Sequence, residues 1–125
     1  RFVEFTHLLA ALKQGFEHGQ GQGNTLDPLA DVEVLAIDEL GKGRNTDWEL
    51  AVVDELISRR YNGMKTLLAT TNYAPGMASG AEANLSLAGV QQSLGDRVGD
   101  RVFSRLMEMV DFQQVSGDDY RGAGG

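Results

Sequence analysis

The chain contains no cysteine. That excludes a disulfide frame and any thiolate metal site. Basic residues are few: 11 Lys and Arg stand against 18 Asp and Glu, a net charge of −7. A broad basic surface is thereby excluded, and any nucleic-acid contact has to be local or lie in a part of the protein outside these residues. No apolar run reaches transmembrane length and nothing resembles a signal peptide, so a cytoplasmic protein is the default expectation. The chain opens on Arg1 rather than Met and enters a strand pattern at once, which suggests that its beginning is missing. What is present suits one domain: 125 residues, 42% of them hydrophobic, enough to supply a core.

Periodicity divides the chain into alternating strands and helices. RFVEF (1–5) alternates like a strand, and Thr6 is placed to cap the helix HLLAALKQGF, whose Leu8, Leu9, Leu12 and Phe16 have helical spacing. Gly15 and Gly19 stop that helix, and the polar, glycine-rich residues 17–29 read as a surface loop. Residues 32–37 form a strand that is apolar on both faces. Thr46 and Glu49 fit a capping box for a helix running to about Tyr61, with Trp48, Val52 and Leu56 as its stripe and Asn62-Gly63 as its end. KTLLATTNY (65–73) is the next strand. Residues 74–95 read as a long loop with a helical turn near 85–93, followed by a helix from Gly95 to about Val110. Residues 111–116 are expected as a short last strand, and the RGAGG tail as disordered. Strands apolar on both faces, alternating with helices, predict an α/β fold: a parallel sheet with helices on both faces.

Ligands of such folds sit at the carboxyl ends of the strands. Asp38 and Glu39 stand at one such end and Asn72 at the next. Four apolar residues followed by Asp-Glu suit nucleotide hydrolysis. The rigid strand fixes the first carboxylate to hold Mg²⁺, and the next can orient or deprotonate a water. A strand end running into an acidic turn explains the same residues about equally well. Asn72 could polarise that water, although Asn at a strand end is more often a turn former. Arg97, Arg101 and Arg105 recur every four residues and would form one helical stripe. Such a stripe is either a solvated face or an arginine presented to a neighbouring subunit's terminal phosphate. Trp48 is most simply core, and Arg59 and Arg60 suit a helix C-terminus. His7 and His18 lie eleven residues apart with no carboxylate cluster joining them, so they make no metal pair.

VLAIDELGKG, DELISRRYNGMKTLLATTNY and LGDRVGDRVFSRLMEM, in this order, resemble the AAA+ ATPases of the DnaC/IstB-like group. That group contains bacterial helicase loaders and the ATP-binding helpers of certain transposases. The resemblance implies a three-layer P-loop NTPase sheet and ATP with Mg²⁺ held between subunits of a homo-oligomer. Asp38 and Glu39 match the Walker B pair, with Asp38 on the metal and Glu39 on the catalytic water. Asn72 matches the sensor-1 residue. Arg105 is matched to the trans-acting arginine finger, Arg101 is the close second, and Arg97 is the weaker candidate. A replicative helicase or a transposase is the implied client, with DNA as a further partner and no membrane.

The family's phosphate loop, G-x-x-x-x-G-K-[ST], is absent; GQGQGN (19–24) has glycine but no Lys-Ser/Thr. The expectation is that residues 1–121 are roughly the C-terminal two-thirds of an AAA+ ATPase domain, with 122–125 as tail. On that footing the fragment by itself binds nucleotide poorly. The alternative reading is a non-catalytic AAA+-derived assembly module that has lost hydrolysis.

Overall fold

The computed structural model describes residues 1–17, 23–78 and 92–115, and the side chains of residues 1–15, 26–78 and 92–115. Three parallel strands form one sheet in the order β1 (Phe2–Glu4), β2 (Val34–Asp38), β3 (Thr66–Ala69). Glu4 lies opposite Asp38, and Ile37 lies opposite Ala69, so all three carboxyl ends fall on one edge. Among the described residues five helices flank the strands: α1 (Phe5–Glu17), α2 (Gly23–Asp31), α3 (Asp47–Asn62), α4 (Leu94–Val98) and α5 (Asp100–Met109).

The core gathers on one side of the sheet. Leu35, Ile37 and Leu67 are buried there beneath Leu8, Leu12, Leu29, Val52, Ile57 and Leu106 of the helices. The opposite side carries Phe2, Val34 and Leu68, which are exposed. The apolar character of both faces is therefore present as the sequence requires, but these described residues cover only one of them.

Helix α3 forms where its local signals put it. The Thr46 hydroxyl accepts the Glu49 N–H, and the Glu49 carboxylate accepts the Thr46 N–H, which completes the capping box. Basic Arg59 and Arg60 occupy its last turn.

Four local expectations are corrected. Residues 23–29, expected as part of a loop over 17–29, lie instead in α2, because Leu26, Leu29 and Ala30 recur at helical spacing and are buried. The cap of α1 is Glu4 rather than Thr6: the Glu4 carboxylate accepts the Thr6 and His7 N–H groups while Thr6 already lies inside the helix. The expected helix from Gly95 to Val110 is two helices, because Gly99 sits at φ 93°, outside helical backbone, and breaks the run. Ser93 and Asp96 cap the first of them reciprocally. Residues 111–115 form no strand. The expected turn near 85–93 falls largely, and His18, the domain end at 121 and the tail 122–125 fall wholly, outside the described residues.

Arginine 60 was expected to serve the dipole at the end of α3. It is instead wholly buried, at 0% exposure. Its guanidinium donates to the carbonyls of Leu29, Ala30 and Val32 from Nη1, and of Glu33 and Thr66 from Nη2, at 2.6–3.4 Å. Those carbonyls belong to the end of α2, the entry of β2 and the start of β3. The two terminal nitrogens of one planar fork thus tie three elements together, while Nε is buried without a hydrogen-bond partner. Burial pulls its pKa below the usual value.

Candidate functional site at the strand ends

The carboxyl edge of the sheet carries the acidic pair. Asp38 is the last residue of β2 and Glu39 begins the turn that follows. That turn is conformationally demanding: Glu39 and Asn45 both have φ 60°, and Gly41 has φ 90°. A left-handed Glu is uncommon and costs free energy unless its surroundings enforce it.

Two groups from elsewhere in the chain enforce it. The first is Thr70, one residue past β3. Its hydroxyl donates to Asp38 Oδ1 in a short contact and accepts the Glu39 N–H at 2.9 Å. Its backbone N–H donates to Ile37 and its carbonyl accepts the Leu40 N–H at 2.7 Å. Thr71 continues the seam by donating its hydroxyl to the Leu40 carbonyl.

The second group is Arg97 on α4. Its Nε donates to the Gly41 carbonyl at 3.0 Å and its Nη2 to the Gly43 carbonyl at 2.5 Å. The guanidinium also lies over the Tyr73 ring, 5.3 Å from the centroid. A side chain on Gly41 would press on Arg97 and Tyr73 and would have to accept a positive φ, so glycine fits this position.

Asn72 lies two residues beyond Thr70 on the same edge. It is exposed and its side chain makes no described hydrogen bond. It lines a groove of about 680 Å³ that runs along β3 past Leu68, Thr70 and Phe112. Asp38 ends β2 and Asn72 lies three residues past β3 on the same edge of the sheet; Thr70 hydrogen-bonds Asp38, whereas the groove that Asn72 lines includes neither Asp38 nor Glu39. Glu39 faces Lys42 (Nζ to Oε2, 3.4 Å), an exposed pair of little energetic weight.

Glu4 also reaches this rim, which the sequence reading did not anticipate. The Thr6 hydroxyl foremost, then the His7 and Thr6 N–H groups, lower its pKa to about 2 against an opposing effect of burial. Glu4 is thus an ionised cap beside the acidic pair. A lone Glu directly before a helical pattern was the available signal.

The arginines do not form the single stripe that their spacing predicts, because Gly99 divides them between two helices. Arg97 is turned inward onto the turn after Glu39. Arg101, whose side chain is 67% exposed, lies 3.6 Å from Asp54 in the middle of α3. Arg105 rests over Tyr61, 5.7 Å from the ring centroid, near the far end of the sheet. There the Glu108 carboxylate raises the Tyr61 pKa through a hydrogen bond. Neither Arg101 nor Arg105 is brought to the Asp38 rim within one chain. Trp48 packs half-buried against the core, as expected.

Among the described residues no group of three or more His, Cys, Asp or Glu is arranged to hold a metal. Asp38 offers one carboxylate, with Oδ1 engaged by Thr70 and Oδ2 free of described hydrogen bonds. A lone carboxylate of this kind fits Mg²⁺ that arrives with phosphate oxygens and retains its waters; it does not fit a protein-caged metal. Among the described residues no helix is long and apolar enough to cross a membrane.

No protein-family model matches the chain. Over 114 residues it is 27% identical to the uncharacterized protein YdaV of Escherichia coli (strain K12), a match covering 91% of this chain and 41% of that protein. The crystal structure of the DnaC helicase loader superposes with a TM-score of 0.66 at 28% identity, covering 88% of this chain and 57% of that one. The chain therefore spans about half the length of the proteins it matches. A three-stranded parallel sheet flanked by helices, superposing on DnaC along most of its length, is a DnaC-like AAA+ fold of the P-loop NTPase class.

Proposed function

We propose that residues 1–121 form part of an ATP-hydrolysing domain of the helicase-loader or transposition-helper type. The observation that carries this reading is the placement of Asp38 and Glu39 at the carboxyl end of β2, both hydrogen-bonded to Thr70 just past the neighbouring strand end, with Asn72 two residues further on. The likeness to a helicase loader supports it.

The chemistry is attack of water on a terminal phosphate, governed by positioning and charge stabilisation. Asp38 would hold Mg²⁺, which when bound would neutralise charge on the phosphate oxygens. Glu39 orients the attacking water and accepts its proton. Asn72, with an unengaged amide, contacts the terminal phosphate. An arginine from a neighbouring subunit completes the charge balance across a homo-oligomeric interface. Arg101 and Arg105 are the candidates. The exposure of Arg101 favours it, whereas Arg105 is stacked within its own chain. A helicase or transposase client and a DNA partner follow from the same likeness, with nucleotide state switching assembly or grip.

Asp38→Asn in the full-length polypeptide tests the metal role. Fluorescent-nucleotide titrations with and without Mg²⁺ are expected to show that the variant loses the gain in affinity that the metal confers. Retention of the full Mg²⁺ effect would remove Asp38 from the metal site.

A further inference from the structure

Thr70 engages its neighbour strand with every polar atom it has. Its backbone makes the two bonds that continue the β2–β3 ladder past the last paired residues, to Ile37 and Leu40. Between them its hydroxyl does what a ladder carbonyl would otherwise do, accepting the Glu39 N–H at 2.9 Å. The same oxygen directs its proton to Asp38 Oδ1. A hydroxyl can accept and donate at once, which a methyl cannot.

Two consequences follow. The Glu39 backbone, at φ 60°, is held in a conformation that its own side chain disfavours. The Asp38 carboxylate has one oxygen tied to a neutral donor, which restrains its rotamer, while Oδ2 makes no described hydrogen bond. Thr70 is exposed, so neither bond serves to satisfy a buried group. The left-handed turn thus serves the orientation of the acidic pair as well as the placement of Leu40, which is buried in the core directly after it.

We propose that Thr70 is a positioning residue for the acidic pair: its single hydroxyl sets the Asp38 carboxylate for metal and locks the left-handed turn that aims Glu39. The proposal rests on the nucleotide-hydrolase reading above. Thr70 touches neither phosphate nor water and acts through residues 38 and 39.

The test compares Thr70→Val, which keeps the shape and loses the hydroxyl, with Thr70→Ser, which keeps the hydroxyl. Both are made in the full-length polypeptide. In metal-free protein, amide hydrogen exchange at Glu39 and Leu40 is expected to rise by roughly tenfold in Thr70→Val and to stay near the unsubstituted value in Thr70→Ser. The Mg²⁺ concentration giving half-maximal binding of a fluorescent ATP analogue is expected to rise by about tenfold in Thr70→Val, with Thr70→Ser within about twofold. Nucleotide binding without Mg²⁺ is expected to be unchanged in both.

Faster exchange in Thr70→Val with an unmoved Mg²⁺ dependence makes Thr70 a merely structural residue and overturns the proposal. Equal behaviour of the Val and Ser variants overturns it as well. Absence of any Mg²⁺-dependent nucleotide binding in the unsubstituted protein overturns the hydrolase reading on which the proposal stands. That failure is distinct, because it is seen before any substitution is made.

Discussion

Glu39→Gln in the full-length polypeptide is expected to leave ATP binding near normal and to slow turnover by roughly tenfold or more, since positioned general bases contribute about 10²–10⁴-fold. The substitution is nearly isosteric. The Glu39 N–H that Thr70 holds and the left-handed backbone are both retained. Asp38, which would carry the metal, is untouched. What is lost is the negative charge and the basicity, together with an exposed contact to Lys42 that contributes little. The effect therefore falls on the chemical step rather than on affinity. Single-turnover hydrolysis measured beside equilibrium nucleotide binding separates the two. Unchanged turnover would remove Glu39 from the role of preparing the water. No turnover in the unsubstituted protein, despite Mg²⁺-dependent binding, would favour the non-catalytic assembly module.

The second large effect concerns stability. Arg60→Ala is expected to destabilise the folded state by about 3–5 kcal/mol, because buried carbonyls lose a donor and a fully buried side chain leaves a void. Five carbonyls lose the guanidinium at once, although that of Glu33 keeps the Thr66 N–H. Each buried acceptor left unsatisfied costs on the order of 1–3 kcal/mol, moderated where water enters or the chain relaxes. Two of the five lie at the C-terminal end of α2, where the helix dipole also favours a cation. Arg60→Lys retains the charge but offers three donors from one point, which cannot span three elements. It is expected to fall between Ala and the unsubstituted protein. Denaturant unfolding of the three proteins checks this. A loss below about 1 kcal/mol for Ala would mean that the guanidinium is dispensable, far under the cost of orphaned acceptors.

Arg59 and Arg60 also show where sequence reasoning ends. They are adjacent, chemically identical, and both lie in the last turn of α3. Arg59 is half-exposed and pairs with Asp27 at 2.8 Å, while Arg60 is buried. Only the approach of α2 and the two strand starts distinguishes them, and no local pattern encodes that approach. Helix α2 was hidden for a related reason. Its glycine- and glutamine-rich approach reads as loop, and Leu26, Leu29 and Ala30 gain helical meaning only when a core is there to receive them. Elements with strong local signals were legible. The capping box of α3 formed from the residues that announce it, and the apolar run of β2 ended where Asp38 begins the polar turn.

The candidate site was legible in its acidic members and not in what holds them. Asp38 and Glu39 follow from a strand end in a parallel sheet, whereas Asn72, expected to close the strand 65–73, lies three residues beyond the end of β3. Thr70 reads as an ordinary β-branched strand residue until its hydroxyl is seen between Asp38 and Glu39. Arg97 was grouped with Arg101 and Arg105 by spacing alone. The positive φ of Gly99 breaks that grouping, and Arg97 turns onto Gly41 and Gly43 instead.

The most direct examination of the metal–nucleotide rim is paramagnetic broadening by Mn²⁺ added with a non-hydrolysable ATP analogue to the full-length polypeptide. Backbone amide signals of residues 38–40 and 70–72 are expected to broaden most, with the effect declining along β2 and β3 toward Val34 and Thr66. Broadening centred away from the carboxyl ends of the strands, or broadening that is the same with and without the nucleotide analogue, would contradict the account.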